Sequence, residues 1–360
     1  MNRRLFFRAP ELARTASHVL PPFAEPVIDE TDATFALVRV SRRAMATRFE
    51  IAIPYGHPHA VPAAQDALDL IDELEDQLTV FRDHSEVSRL NAGAAEGSVP
   101  VSEELFELLR DCAGLTRETE GAFDIATGSL TRAWGFYRRE GKLPSPRERS
   151  LAMAATGMKH VVLDEANRSI RFRVKGLEFN LGAIGKGYAL DRAADLLRTK
   201  WGITTALLQG GGSSILGLGT PPDDRRGWAI RLRHPADDGR SLGTVHLADS
   251  ALGVSAATFQ HFTCNNRSLG HLLDPRLGWP AEGTASAAVI APTAAEADAI
   301  STAVYVLGEP GADRLTRLRP YLGALVLRAG QVEPSLYNLD TRYHSPTGLN
   351  EPSLAPAHAD

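Results

Sequence analysis

The segment FNLGAIGKGYALDRAA, residues 179–194, constrains the fold more than any other stretch of this chain. An apolar lead-in runs into Gly182, Gly185 and Gly187 around Lys186, and a helical pattern follows. Glycines so closely spaced let the backbone approach a ligand and point its N–H groups outward. A helix beginning there adds the positive end of its dipole, and Lys186 adds a full positive charge. The pattern predicts a turn between a strand and a helix that can anchor a phosphate or pyrophosphate. It matches neither G-x-G-x-x-G nor G-x-x-x-x-G-K-[ST]. Taken alone, the plainer reading, a glycine-rich turn with a solvated lysine, stands ahead.

At 360 residues the chain can bury one large core or two modest ones. A hydrophobic share of 43% beside 23% charged residues is ordinary for a globular protein. A net charge of −5 and a pI near 6.1 offer no bulk attraction to nucleic acid or to an anionic membrane. Affinity for a phosphorylated ligand must therefore come from local placement. The two cysteines predict no disulfide framework. Cys112 falls on the apolar stripe of a predicted helix with Leu105, Leu108, Leu109 and Leu115, and Cys264 on a hairpin tip.

Arg3-Arg4 before Leu5-Phe6-Phe7-Arg8 is similar to the start of a twin-arginine export signal. Glu11, Arg14 and His18 interrupt the apolar stretch such a signal needs, and no cysteine is placed as a lipoprotein anchor. No run approaches the roughly 18 apolar residues of a membrane span. The expectation is a cytoplasmic protein.

Residues 1–33 read as an N-terminal arm with a linker-like stretch around Pro21, Pro22 and Pro26. Alternation predicts strands at 34–40 and 48–53, joined around 43–46. An amphipathic helix is predicted at 63–78, with Ala67, Leu70, Ile71, Leu74 and Leu78 on one face. Ser102 is an expected N-cap, with Glu103 and Glu104 at the positive end of the next helix. Residues 138–149 read as a charged, proline-containing connection and 261–273 as a hairpin. One domain is expected over 34–334, followed by a poorly ordered tail, 335–360, rich in Pro, Ser and His. Strands come in clusters with helices inserted between them, which predicts an α+β fold.

Three constellations could carry chemistry. Asp298 and Thr302 are four apart on a predicted helix and so share a face. A carboxylate and a hydroxyl are hard ligands suited to Mg²⁺, although an acid in solvent and a hydroxyl bonded back to its helix fit the spacing better. In GHLLDPRLGWP, His271 and Asp274 bracket two leucines before Pro275. A histidine titrates near neutral pH and can take a hydroxyl proton, while an aspartate before proline equally caps a turn. Asp124 lies near Phe123 and Trp134, a grouping that aromatic core residues around a turn also account for. The glycines of LLQGGGSSILGLG are either a tight turn or a close backbone approach to a ligand.

Taken in order and spacing, several segments together resemble the ApbE family, the FAD:protein FMN transferases. They are the glycine–lysine segment, GAFDIATGSLTRAWGF (121–136), LLQGGGSSILGLG (207–219), GHLLDPRLGWP (270–280) and SAAVIAPTAAEADAISTAVYVLG (286–308). The likeness runs from about Met45 to about Gly330. It implies two related α/β units, T-fold-like, with the ligand site between them. It implies FAD as substrate, Mg²⁺ as cofactor, and an acceptor flavoprotein with a threonine flavinylation motif as partner. FMN would be attached through a phosphoester to that threonine, with release of AMP.

The resemblance further implies that Asp298, Thr302 and the backbone oxygen of Ala183 bind the metal. Met45, Phe81, Ala122, Phe123, Asp124, Asn180 and Lys186 would bind FAD, with Leu273 adding its backbone. His271 would act in catalysis, with Asp274 beside it. Some positions depart from the family pattern. Ser301 stands where some relatives carry a second acid, Phe81 replaces a common tyrosine, and Asn180 a common aspartate. In GVSAATFQHF, residues 253–262, only Ser255 keeps the chemistry of the usual Thr-Ser-Gly and Tyr pattern. Self-flavinylation at Thr258 is not expected, because Leu252 occupies the place of the acceptor motif's aspartate. Two alternatives remain beside transfer: an FAD pyrophosphatase giving FMN and AMP, and a flavin-binding protein without turnover.

Overall fold

Alternating apolar residues build the frame. β1 (Leu37–Ala44) and β2 (Thr47–Pro54) form a hairpin closed by Met45 and Ala46, both with positive φ (49° and 60°). Left-handed backbone at both turn residues matches the right-handed twist of the flanking strands. The computed structural model describes residues 35–138, 141–256, 261–264, 267–339 and 343–344. The expected arm, 1–33, and Thr258 lie outside them.

Six further strands complete one sheet: β3 (Ala206–Gly210), β4 (Ser214–Leu218), β5 (Ser250–Ala256), β6 (Thr284–Ala291), β7 (Gly323–Arg328) and β8 (Ser335–Tyr337). Their order across the sheet is their order along the chain, and every neighbouring pair is antiparallel. Each half repeats one plan, in which a strand pair leads into helices and then into a second strand pair. α1 (Ala60–Leu78), α2 (Glu103–Glu118) and α3 (Gly185–Trp201) lie between β2 and β3. α4 (Ala294–Leu307) and α5 (Glu309–Leu318) lie between β6 and β7. The expected α+β class is the observed one.

Period-two alternation buries both faces of the sheet. Ala206, Leu208, Leu216, Leu218, Ala287, Val289, Ala324 and Val326 join the helices in the larger core. Leu207, Ile215, Leu252, Ala288, Ile290, Leu325 and Leu327 pack beneath a long hairpin, Trp228–His234 with Asp237–Leu247, in a second core. The stripe of Leu105, Leu108, Leu109, Cys112 and Leu115 is buried as expected, and burial pushes the Cys112 thiol up.

Three expectations need correction. The apolar lead-in to the glycine motif is not a strand, because Phe179 hydrogen-bonds the side-chain amide of Asn91 (N–H to Oδ1 2.7 Å, Nδ2 to O 3.1 Å) instead of a strand partner. The connection at 138–149 includes the start of a helix, Pro146–Ala154, fixed by a capping box between Ser145 and Glu148. The hairpin expected at 261–273 is present as His261–Cys264 paired with Arg267–Gly270, and Leu273–Asp274 forms a second short ladder with Trp279–Pro280. Beyond 334, β8 pairs with β7 and Tyr343–His344 pairs with Val245 and Thr244, so the folded chain runs past the expected boundary.

Candidate active site

Two glycines decide where the site lies. A Cβ at Gly187 on α3 would meet the Ala294 carbonyl oxygen at 2.1 Å, and one at Gly253 on β5 would meet that of Ala297 at 2.3 Å. α4 therefore rests directly on α3 and β5. Its first turn is held by Thr293, which accepts from Glu296 N–H (3.2 Å), and by Asp191, which accepts from Ala294 and Ala295 N–H (2.7 and 2.8 Å). This seat buries Asp298 on the second turn of α4.

Each Asp298 oxygen has its own donor. Oδ1 accepts from the Ser214 hydroxyl at 2.7 Å and Oδ2 from Gly187 N–H at 2.9 Å, with Lys186 Nζ 3.7 Å from Oδ2. Burial pushes the carboxyl up, while Lys186, Ser214 and Gly187 pull it down. One turn on, Thr302 donates to the Asp298 carbonyl (3.2 Å) and lies 3.3 Å from Ser255 Oγ. Ser301 lies 2.9 Å from the same Ser255 hydroxyl. The back-bonded hydroxyl allowed for in the sequence is real, yet its oxygen keeps lone pairs. Ala183, Lys186, Asp298, Ser301 and Thr302 all line one cavity of about 550 Å³.

The loop before α3 forms the next wall. Asn180 Oδ1 accepts from Gly182 N–H (2.9 Å), its Nδ2 reaches Thr131 Oγ1 (3.4 Å), and its own N–H donates to the Ile125 carbonyl (2.7 Å). The last bond ties the glycine loop to the segment carrying Ala122, Phe123 and Asp124, which also line the cavity. Asp124 accepts from Ala126 N–H (2.8 Å) and Met158 N–H (2.9 Å), and burial pushes its carboxyl up. Phe81 is 70% exposed and meets Tyr137 edge-on at 5.7 Å.

His271 and Leu273 also line the cavity, with the His271 ring edge-on to Phe136 at 6.4 Å. Two expected residues do not reach the cavity. Asp274 instead holds a turn, taking Arg276 N–H (2.9 Å), Nε (2.9 Å) and Nη2 (2.7 Å) on its carboxylate. Met45 packs against the larger core and donates its N–H to Glu75 Oε2 (2.8 Å), while Ala46 and Thr47 beside it line the space.

Sequence reasoning missed Ser214, whose signal was a hydroxyl at a strand position where alternation asks for an apolar side chain. It also missed Tyr137 and the basic lining residues Arg231, Arg233 and His234 of the long hairpin. The three-glycine stretch resolves as a turn between β3 and β4, with Gly211 and Gly212 at φ 65° and 70° lining the cavity.

The cavity joins the carboxylates of Asp124 and Asp298, the Lys186 ammonium, several hydroxyls and the imidazoles of His234 and His271, drawn from both halves of the chain. The sequence profile of the ApbE family matches residues 45–326, a span that includes all of them. The chain belongs to the ApbE family. Among ApbE relatives, a Klebsiella pneumoniae protein named FAD:protein FMN transferase is 30% identical over 256 residues, 71% of this chain and 78% of that one. The Escherichia coli K12 protein of the same name is 29% identical over 263 residues, 70% of this chain and 72% of its own. The ApbE crystal structure from Thermotoga maritima superposes with a TM-score of 0.75 at 26% identity, covering 84% of this chain and 96% of that one. The flavinyl transferase ApbE of Pseudomonas stutzeri, in its apo form, gives 0.75 at 25% identity, covering 86% and 97%. Among the described residues, no helix is long and apolar enough to cross a membrane.

Proposed function

We propose that the protein is a Mg²⁺-dependent FAD:protein FMN transferase. The observation that carries this is the meeting of Lys186, Asp298, Thr302, Ala183 and His271 around one cavity that is also walled by Phe123 and Asp124. The names of its relatives supply the substrate class.

The donor set fits a hard divalent cation. Asp298 is a buried carboxylate on the cavity wall, in company with the Ser301 and Thr302 hydroxyls and with Ala183. No group of three or more His, Cys, Asp or Glu stands ready for a softer or more highly charged site among the described residues. Asp298, Thr302 and the Ala183 carbonyl would hold Mg²⁺, with waters and substrate phosphate completing the shell. When bound, the ion neutralises charge on the phosphate oxygens.

The chain's own residues do the rest. Lys186 holds the pyrophosphate, the N–H groups of Gly182, Gly185 and Gly187 being taken by Asn180, Leu181 and Asp298, and Phe123 with Asp124 receives the nucleoside part. His271 takes the proton of the acceptor threonine as its oxygen attacks the phosphorus of the FMN half. The new P–O bond forms to threonine, the pyrophosphate P–O bond breaks, and AMP leaves. Asp274 serves by fixing the turn that follows His271.

The test is AMP release from FAD and Mg²⁺, with and without a peptide carrying an acceptor threonine. Release that rises with the peptide supports transfer. Equal release in both marks a pyrophosphatase, and none marks a flavin-binding protein.

A further inference from the structure

Ser214 is out of place for a core strand. It opens β4, whose next residues on the same face, Leu216 and Leu218, belong to the larger core, while Ile215 belongs to the core on the other side. Ser214 is fully buried, at 0% exposure. A hydroxyl there carries a desolvation cost that an aliphatic side chain would avoid, unless it has a strong partner. That partner is Asp298, whose Oδ1 lies 2.7 Å away. A carboxylate accepts, so the serine donates, and such a charge-assisted bond is among the stronger kinds.

Asp298 is pinned from two elements at once, Oδ1 by Ser214 of β4 and Oδ2 by Gly187 N–H at the start of α3. A carboxylate held by one donor can still turn about its Cβ–Cγ bond. Held by two donors in different elements, it is locked in the orientation that borders the cavity. Residues that hydrogen-bond a metal ligand in this way set its orientation and basicity.

We propose that Ser214 is a positioning residue, holding Asp298 in the orientation that receives a divalent cation. The inference rests on the metal reading given above for Asp298. It goes further in assigning a role to a residue that touches neither substrate nor metal.

The test uses full-length, FAD-free protein and Mn²⁺ alone as the probe, read by electron paramagnetic resonance, with thermal unfolding in parallel. Ser214→Ala should weaken Mn²⁺ binding about 10–100-fold. Ser214→Thr, which keeps the hydroxyl, should retain most of the affinity. Ser214→Cys, close in size with a weaker donor, should fall between, and it covers the case in which the alanine variant does not fold. A purely structural serine would lower the unfolding temperature and leave Mn²⁺ affinity at the wild-type value, which overturns the proposal. So would a threonine variant as weak as the alanine one. Asp298→Ala separates the two levels. If that variant loses Mn²⁺ and Ser214→Ala does not, only the role of Ser214 falls. If wild type binds no Mn²⁺, the metal reading falls and this inference with it.

Discussion

Lys186 stands between a buried acid and an open cavity. Its ammonium lies 3.7 Å from Asp298 Oδ2, and its side chain is 24% exposed on the cavity wall. At that distance the lysine compensates Asp298 without a close hydrogen bond, so its donors remain available to a phosphate. FAD carries a pyrophosphate and riboflavin carries none. Lys186→Ala should therefore weaken FAD by about 1.5–3 kcal/mol, one to two orders of magnitude, and leave riboflavin nearly unchanged. Flavin fluorescence titrations of both ligands against both proteins check this. Equal losses would return Lys186 to the solvated-lysine reading that its short motif allowed.

At the scale of elements, the seating of α4 decides the site, and it divides the glycines of the opening motif. Gly187 lies against backbone of α4, whereas the nearest atom to a Cβ on Gly185 is Leu181 Cβ at 3.8 Å, an ordinary contact. Gly187→Ala should destabilise the fold by about 1–3 kcal/mol or more and loosen Asp298, because the opposing atoms are backbone and cannot swing away. Gly185→Ala should be nearly neutral in chemical denaturation. The sequence shows three equivalent glycines. Their difference depends on which helix arrives from more than a hundred residues away, and local pattern does not encode that.

Asp191 adds a pH test of the same seat. Burial pushes its carboxyl from 3.8 up to about 7, outweighing the two α4 N–H bonds that favour its charge. The folded state thus keeps this proton to higher pH than the unfolded chain. The resulting stabilisation is complete below 3.8 and is lost as pH rises through about 7. Asp191→Asn, which retains an acceptor oxygen but does not titrate there, should flatten that part of the stability–pH curve. An unchanged slope in denaturant melts between these limits would refute it.

Over the whole molecule, periodicity and clustering made the α+β class, the first hairpin, α1 and the Cys112 stripe legible. Spacing also put Asp298 and Thr302 on one helical face. Burial of both faces of the sheet went unread although its signal is present: the runs 206–208, 287–291 and 324–327 are apolar without a break. Strand alternation across Leu272 and Leu273 does set His271 and Leu273 on one face and Asp274 on the other, but not which face meets the cavity. Only the turn geometry hands the Asp274 carboxylate to Arg276 and leaves His271 on the cavity. β8 was obscured by the Pro, Ser and His content around it.

Both halves of the sheet supply walls to the cavity, and the reaction proposed for this joint site moves FMN from FAD to a protein hydroxyl. The most direct measurement is the mass of a threonine-containing acceptor peptide after incubation with the protein, FAD and Mg²⁺. Transfer yields a peptide heavier by one esterified FMN, AMP formed in equal amount, and no modification when the threonine is replaced by alanine. An unmodified peptide beside accumulating AMP, or intact FAD throughout, would contradict it.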